Sequence, residues 1–324
     1  MKAFVTGGSG YVGRNLIRHL RRRRDEVRAL ARSQQAIQAV TALGATAIQG
    51  DLDSLDVMGK AMAGCDVIFH VAALAAEWGP REAFQRFNVE GTANVLKAAQ
   101  AAGVKKFVHV GTEAALCDGT RLLDVDESRP LPANPLPRYP QSKAAAEKLV
   151  RAANGPLFQT VVVRPRFIWG NDDTSVLAAL VAAVKAGRFM WMDGGRYPTS
   201  TTHVDNVCEG LLLAAEKGRG GEAYFVTDGA PVELRDFVTQ LLATRGVDPG
   251  GKSLPKGVVL VLARVSEWVW DTFGLKGEPP VTRMAVHLFG EPVTVNDAKA
   301  RRELGYRGLI TREQGLAGIK SFNA

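Results

Sequence analysis

Gly7-Gly8-Ser9-Gly10-Tyr11-Val12-Gly13 follows the apolar run Ala3-Phe4-Val5 and leads into a helical pattern from Gly13 to Leu20. A glycine triplet alone is weak evidence, because flexible loops also collect glycine. Between a strand and a helix each glycine has a use: Gly7 and its partners supply positive φ, close approach of Gly10 to a pyrophosphate, and tight helix packing at Gly13. The free N–H groups of Tyr11 and Val12 at the helix start, with the helix dipole, then favour an anion. The stretch predicts a bound dinucleotide.

Outward from that turn, short apolar runs alternate with longer helical patterns. The runs are Val27–Leu30, Thr46–Ile48, Val67–Phe69, Phe107–Val110 and Thr160–Val163; helical patterns cover residues 33–43 and 84–102. Alternation of this kind means a parallel sheet covered on both faces, whose strands read as nearly continuous apolar runs. After Gly170 the rhythm changes to a helix at 174–186, a Gly/Asp-rich loop, Thr201–Val204, another helix and Tyr224–Val226. We expect an α/β fold with a Rossmann-type doubly wound parallel sheet from residues 1–170 and 201–228. Residues 171–200 and 229–324 should form a smaller, discontinuous substrate-binding domain.

The end of the second strand selects the dinucleotide. NAD enzymes usually place an acid there to bond the ribose 2′-hydroxyl. This chain reads Ala29-Leu30-Ala31-Arg32-Ser33, with Arg32 and no acid. A guanidinium can clamp a 2′-phosphate that a carboxylate would repel, so NADP(H) is favoured over NAD(H). Asp51 and Leu52, after the third strand, are placed to meet the adenine; a plain helix cap is the alternative for Asp51.

Tyr139 and Lys143 lie four residues apart at the start of a helix, on one face. An ammonium about 4 Å from a phenol could lower its pKa from about 10 by up to roughly three units, less whatever burial takes back. That would suit proton exchange with a carbonyl oxygen. Thr112, just past the strand Phe107–Val110, is the candidate for a second hydroxyl, because ligands bind outside the carboxyl ends of parallel strands.

The composition excludes other classes. With 46% hydrophobic residues the chain can build a sizeable core, and 41 bases against 33 acids leave +8, half of it in Arg21–Arg24, which reads as a solvated helix end and not a nucleic-acid site. Cys65, Cys117 and Cys208 have no metal-ligand spacing, so no metal site and no disulfide framework is expected. The opening residues show no signal-peptide h-region, which predicts a cytoplasmic protein. Val258–Trp270 is too short and too charged to span a bilayer, so no integral membrane span is expected. An amphipathic helix remains, either packed in the core or a subunit contact, or serving as a lid or a membrane-surface contact. Its Val258, Val259, Leu260, Leu262, Trp268, Val269, Trp270 and Phe273 could line an apolar pocket.

These residues together resemble an extended short-chain dehydrogenase/reductase of the NAD-dependent epimerase/dehydratase superfamily. Arg138–Lys143 with Glu147-Lys148 and Ala152–Gly155 is similar to the 3β-hydroxysteroid dehydrogenase branch in particular. Further matches are His70–Ala73, Asn88–Asn94, Arg164–Gly170, His203–Val207 and Lys299–Arg301 with Leu304–Tyr306. The resemblance implies that Tyr139 is the general acid/base, that Lys143 lowers its pKa and bonds the nicotinamide ribose, and that Thr112 polarises the substrate oxygen. It also implies that Pro165 lies against the nicotinamide, that Ala72 and Ala73 line the cofactor, that Asn88 supports the site, and that a homodimer forms through the helices after the fourth and fifth strands. Gly111 departs from relatives with a second Ser or Thr.

The expected activity is NADP(H)-dependent interconversion of a ketone and a secondary alcohol on a fairly apolar small molecule, steroid-like or a β-keto acid. The alternative is a nucleotide-sugar epimerase using the same Tyr/Lys/Thr site with tightly held NAD. A dehydratase is disfavoured because Thr112-Glu113-Ala114 offers one carboxylate where acid and base are both needed. A non-catalytic Rossmann protein would have no need of the Tyr/Lys pair.

Overall fold

The computed structural model describes residues 1–322. Its strands are β1 (Lys2–Thr6), β2 (Glu26–Ala31), β3 (Thr46–Gln49), β4 (Val67–His70), β5 (Lys106–Val110), β6 (Leu122–Val125), β7 (Gln159–Pro165), β8 (Ile168–Trp169), β9 (Trp191–Met192), β10 (Pro198–Thr199), β11 (Thr202–His203), β12 (Ala223–Val226), β13 (Val232–Glu233), β14 (Ser253–Leu254) and β15 (Val293–Val295). The helices are α1 (Tyr11–Arg22), α2 (Gln34–Ala42), α3 (Leu55–Met62), α4 (Arg81–Phe84), α5 (Gly91–Ala101), α6 (Tyr139–Ala152), α7 (Val176–Lys185), α8 (Val204–Lys217), α9 (Leu234–Ala243), α10 (Lys256–Phe273), α11 (Arg283–Phe289), α12 (Ala298–Leu304) and α13 (Arg312–Phe322).

Seven parallel strands form the main sheet in the order β12-β7-β5-β4-β1-β2-β3. Their apolar runs are buried on both sides, as a parallel sheet requires. Leu16, Ile17 and Leu20 of α1 and Val207 and Leu211 of α8 cover one face; Met58 and Met62 of α3, Val95 and Leu96 of α5 and Val150 of α6 cover the other. Phe4, Phe69 and Phe107 are fully buried, each contributing about 1.5 to 3 kcal/mol of transfer free energy. The connection order reverses between β1 and β4, which opens a crevice at their carboxyl ends.

A second, four-stranded sheet has the order β13-β10-β15-β6. It draws β6 from the first half of the chain into register with β15, so the two halves are interleaved. Two expectations change here. The expected helix over 84–102 is three pieces, because a π-helical stretch, Gln85–Glu90, separates α4 from α5. Within α10 only Val259, Ala263 and Glu267 are buried, so Val258, Leu262, Trp268 and Phe273 form no part of a core or an enclosed pocket.

Candidate active site

The turn after β1 has the geometry its sequence requires. Gly7 has φ +70°, and a Cβ there would lie 2.6 Å from the Ala72 nitrogen. A Cβ on Gly13 would lie 2.0 Å from the Gly7 carbonyl oxygen, so the helix can pack this close only with glycine. Gly10 faces open space apart from that carbonyl at 3.3 Å, which leaves its backbone approachable. Gly10 caps α1 without a side-chain bond, and no acid stands in the first turn. Among the described residues, neither the Tyr11 nor the Val12 N–H has a hydrogen-bond acceptor. Such a cradle fits a pyrophosphate, and Arg14, donating to the Ser9 carbonyl at 2.9 Å, pins the turn. The Tyr11 ring is buried, so its backbone is the part turned to a ligand.

Arg32 follows β2, exposed and without an ion pair or hydrogen bond among the described residues, free to meet an anion. Ser33 caps α2, accepting from the Ala36 N–H at 3.2 Å. Asp51 does not cap α3, which starts after Ser54: its Oδ1 accepts from Ser54 Oγ at 2.7 Å and the Asp53 N–H at 3.1 Å, closing the turn ahead of the helix, and these bonds hold its carboxyl below the usual range. Leu52 is half-buried against the α5 side of the core. Ala72 donates its N–H to Thr6 Oγ1 at 3.2 Å, and exposed Ala73 follows it along the crevice. Pro165 is buried at the end of β7 beside Val226.

Thr112, from the turn after β5, meets Tyr139 and Lys143, both from α6, beyond the end of β5. Thr112 caps a 3-10 turn, Glu113–Leu116, and donates its hydroxyl to Glu113 Oε2 at 2.9 Å. The other oxygen of Glu113 faces Arg166 Nη1 at 3.1 Å. Both partners are buried, and Arg166 also donates to the Leu288 carbonyl and Thr199. Tyr139 opens α6 beneath Leu136, Met284, Leu288 and Phe289, which make an apolar roof mostly from α11. Sequence reading placed the apolar wall on α10 and did not foresee these side chains or Arg166; a second arginine, directly after Pro165 at the carboxyl end of β7, was the available signal.

The expected lowering of the Tyr139 pKa is absent in this geometry. Burial and the Glu113 carboxylate push the phenol up, with Thr112 opposing, and Lys143 is not among the groups acting on it. Lys143 Nζ donates to the Val110 carbonyl at 2.7 Å and lies 3.3 Å from His109 Nε2. Burial brings its ammonium down to about 8, against the pull of Glu147 one turn later. Glu147 is itself held by Arg164, whose Nε donates to it at 3.0 Å. That arginine explains Gly111: a Cβ there would lie 2.7 Å from Val162 and 3.2 Å from Arg164 Cγ, leaving no room for a second hydroxyl.

Asn88 sits in the π-helical stretch, where such bulges often mark functional sites. Its amide donates to Ser142 Oγ at 2.9 Å and accepts from the Leu74 N–H at 2.7 Å, tying α6 to the crevice loop. Among the described residues no cluster could hold a metal ion.

The model of the 3-beta hydroxysteroid dehydrogenase/isomerase family matches residues 4–256. Over 99% of this chain and 96% of its own length, a 4-hydroxy-2-methyl-3-oxo-4-farnesyl-3,4-dihydroquinoline-1-oxide ketoreductase of Stigmatella aurantiaca is 54% identical. A 2-alkyl-3-oxoalkanoate reductase of Stenotrophomonas maltophilia is 33% identical over the full length of both chains. In fold, the chain is similar to a dTDP-glucose 4,6-dehydratase of Streptomyces venezuelae solved with NAD, with TM-score 0.77, 24% identity, and coverage of 99% and 96%.

Proposed function

Because this chain belongs to the 3-beta hydroxysteroid dehydrogenase/isomerase family, whose members are NAD(P)-dependent oxidoreductases, we propose that it uses NADPH to reduce a ketone on an apolar, prenylated ring system. One observation carries the substrate class: Tyr139, next to Thr112, lies under the roof of Met284, Leu288 and Phe289, where burial and Glu113 push its phenol up. Reduction needs an acid that is still protonated when the carbonyl oxygen becomes an alkoxide, and a raised phenol pKa supplies one. The apolar roof suits a substrate with little polar surface, such as the farnesylated ring named for the Stigmatella relative.

The cofactor, when bound, supplies the hydride. Tyr11 and Val12 would hold its pyrophosphate through their N–H groups, Gly7, Gly10 and Gly13 would let it approach, and Arg32 would take the 2′-phosphate. Asp51 and Leu52 would border the adenine, Ala72 and Ala73 the crevice, and Pro165 the nicotinamide. Lys143 has a third N–H free for a ribose hydroxyl. Thr112 must turn its hydroxyl from Glu113 to the substrate oxygen, which it then orients for the Tyr139 proton. In this reading residues 171–200 and 229–324 form the substrate unit, and the protein works as a homodimer.

NADPH oxidation should be followed with a farnesylated 3-oxo-dihydroquinoline N-oxide, a 2-alkyl-3-oxoalkanoate and a ketosteroid. Turnover of the first, lost by about 10² to 10⁴ in Tyr139→Phe while NADPH still binds, is the expected result. No reduction of any ketone, together with turnover of a UDP-sugar, would replace this reading by epimerisation.

A further inference from the structure

The outer face of α10 is the most apolar exposed surface of the described residues. Val258, Val261, Leu262, Val265, Trp268 and Phe273 are between 48% and 66% exposed. Their spacing places all six on one side of an 18-residue helix about 27 Å long. This helix is not a loose arm. Its opposite side packs Val259 and Ala263 on Val286 of α11, Glu267 accepts from the Arg283 side chain at 2.7 Å, and Asp271 binds Arg138 at 2.5 Å. A stripe this wide on a firmly held helix calls for a partner, since solitary surface apolar residues are ordinary but contiguous ones are not.

We propose that this face docks on the surface of a lipid bilayer carrying anionic headgroups. An amphipathic helix with Trp, Leu and Phe on one face lies in the interface plane, and the helix is too charged to cross. Charge favours that surface. Arg264 and Lys276 are exposed at the rim without ion pairs, Asp271 is taken by Arg138 and Arg81, and the other nearby carboxylates are Glu278 and Glu77, which accepts from Thr282. An anionic surface attracts both rim cations, and the net +8 of the chain adds to that attraction. Placement adds a reason, which rests on the apolar-substrate reading: α10 covers α11, and α11 roofs Tyr139, so a docked enzyme holds its site one helix layer from the lipid.

Co-sedimentation with vesicles of phosphatidylglycerol and phosphatidylcholine tests this. The protein should pellet with mixed vesicles and more weakly with phosphatidylcholine alone. Val261→Asp with Val265→Asp should weaken binding by at least about tenfold. Arg264→Ala with Lys276→Ala should weaken binding to the mixed vesicles by roughly thirtyfold, about fivefold for each cation. Both pairs should keep the wild-type melting temperature and NADPH binding. Should a variant misfold, quenching of tryptophan emission by brominated lipid in the unsubstituted protein gives the same answer. Wild type remaining in the supernatant with both vesicles, absence of quenching, or a vesicle-independent dimer split by the Asp pair would overturn the proposal. No ketone enters the assay, so its failure leaves the reductase reading standing, and the converse holds.

Discussion

Replacing Glu113 by Gln removes one half of a buried ion pair that also acts on Thr112 and Tyr139, the two groups proposed to handle the substrate oxygen. Arg166 and Glu113 are 2% and 3% exposed and 3.1 Å apart, which at an effective dielectric near 20 is an attraction of about 5 kcal/mol. Losing one member of such a pair costs roughly 3 to 5 kcal/mol, because the other stays buried and charged. Arg166 keeps its bonds to the Leu288 carbonyl and Thr199, so the lower end of that range, about 3 kcal/mol, is expected. In E113Q combined with Arg166→Met the stranded charge is gone, and the double variant should be at least about 2 kcal/mol more stable than the two single losses added together. Urea unfolding followed by tryptophan emission measures both. The kinetic consequence has a defined sign. Glu113 helps hold the Tyr139 pKa up, so without its charge the phenol ionises at lower pH. Reduction uses the protonated phenol, and the alkaline limb of kcat/KM against pH should therefore move down in E113Q. A wild-type urea midpoint with an unmoved alkaline limb would refute the reasoning.

Arg32→Ala should reduce the preference for NADPH over NADH by about 10- to 150-fold, mainly through KM for NADPH, and Ala31→Asp in that background should move it further toward NADH; steady-state kinetics with both cofactors checks this. Lys143 titrates at about 8 in the fold against 10.5 in a free lysine, so the unfolded chain binds more protons between those values and stability rises with pH there. Lys143→Met should stabilise the cofactor-free protein at pH 7 by up to roughly 3 kcal/mol, a gain that shrinks toward pH 10.5 in urea titrations. Gly13→Ala should abolish the NADPH-induced thermal shift, because its methyl would lie 2.0 Å from the Gly7 carbonyl. Burial first, then Lys143, brings the His70 pKa to about 3, and His109 is likewise held neutral; stability should fall as pH drops below 6.5, where the unfolded chain takes up protons that the fold refuses, and melting temperatures across that range would show it.

The main sheet and the nucleotide turn were legible because their signals are local: runs of buried strand residues, and glycines whose spacing maps onto one turn. Leu55–Met62 passed unread because it is short, holds Gly59, and buries only Met58 and Met62. The small sheet was hidden because its strands are two to four residues long and find each other across distant stretches of chain. At the site, one-turn spacing put Lys143 on the face of Tyr139 but could not show its ammonium turned to the Val110 carbonyl. The partnership of Glu113 with Arg166 is likewise a product of β5 and β7 lying side by side. For α10 the pattern indicated an amphipathic helix but left open whether its apolar residues are packed or at the surface; the position of α11 decides which of them are covered.

The pairing of β6 with β15 also sets an order of events during synthesis. Leu116, in the turn that Thr112 caps, packs with Leu122 and Val125 against Val293 and Val295, residues that leave the ribosome long after the glycine turn and most of the main sheet. Domains tend to form as their segments emerge, and distant pairings come last. A nascent chain can thus assemble its nucleotide cradle well before Thr112 is braced. On the proposed reading, a chain arrested ahead of Val293 is expected to take up the dinucleotide yet reduce nothing.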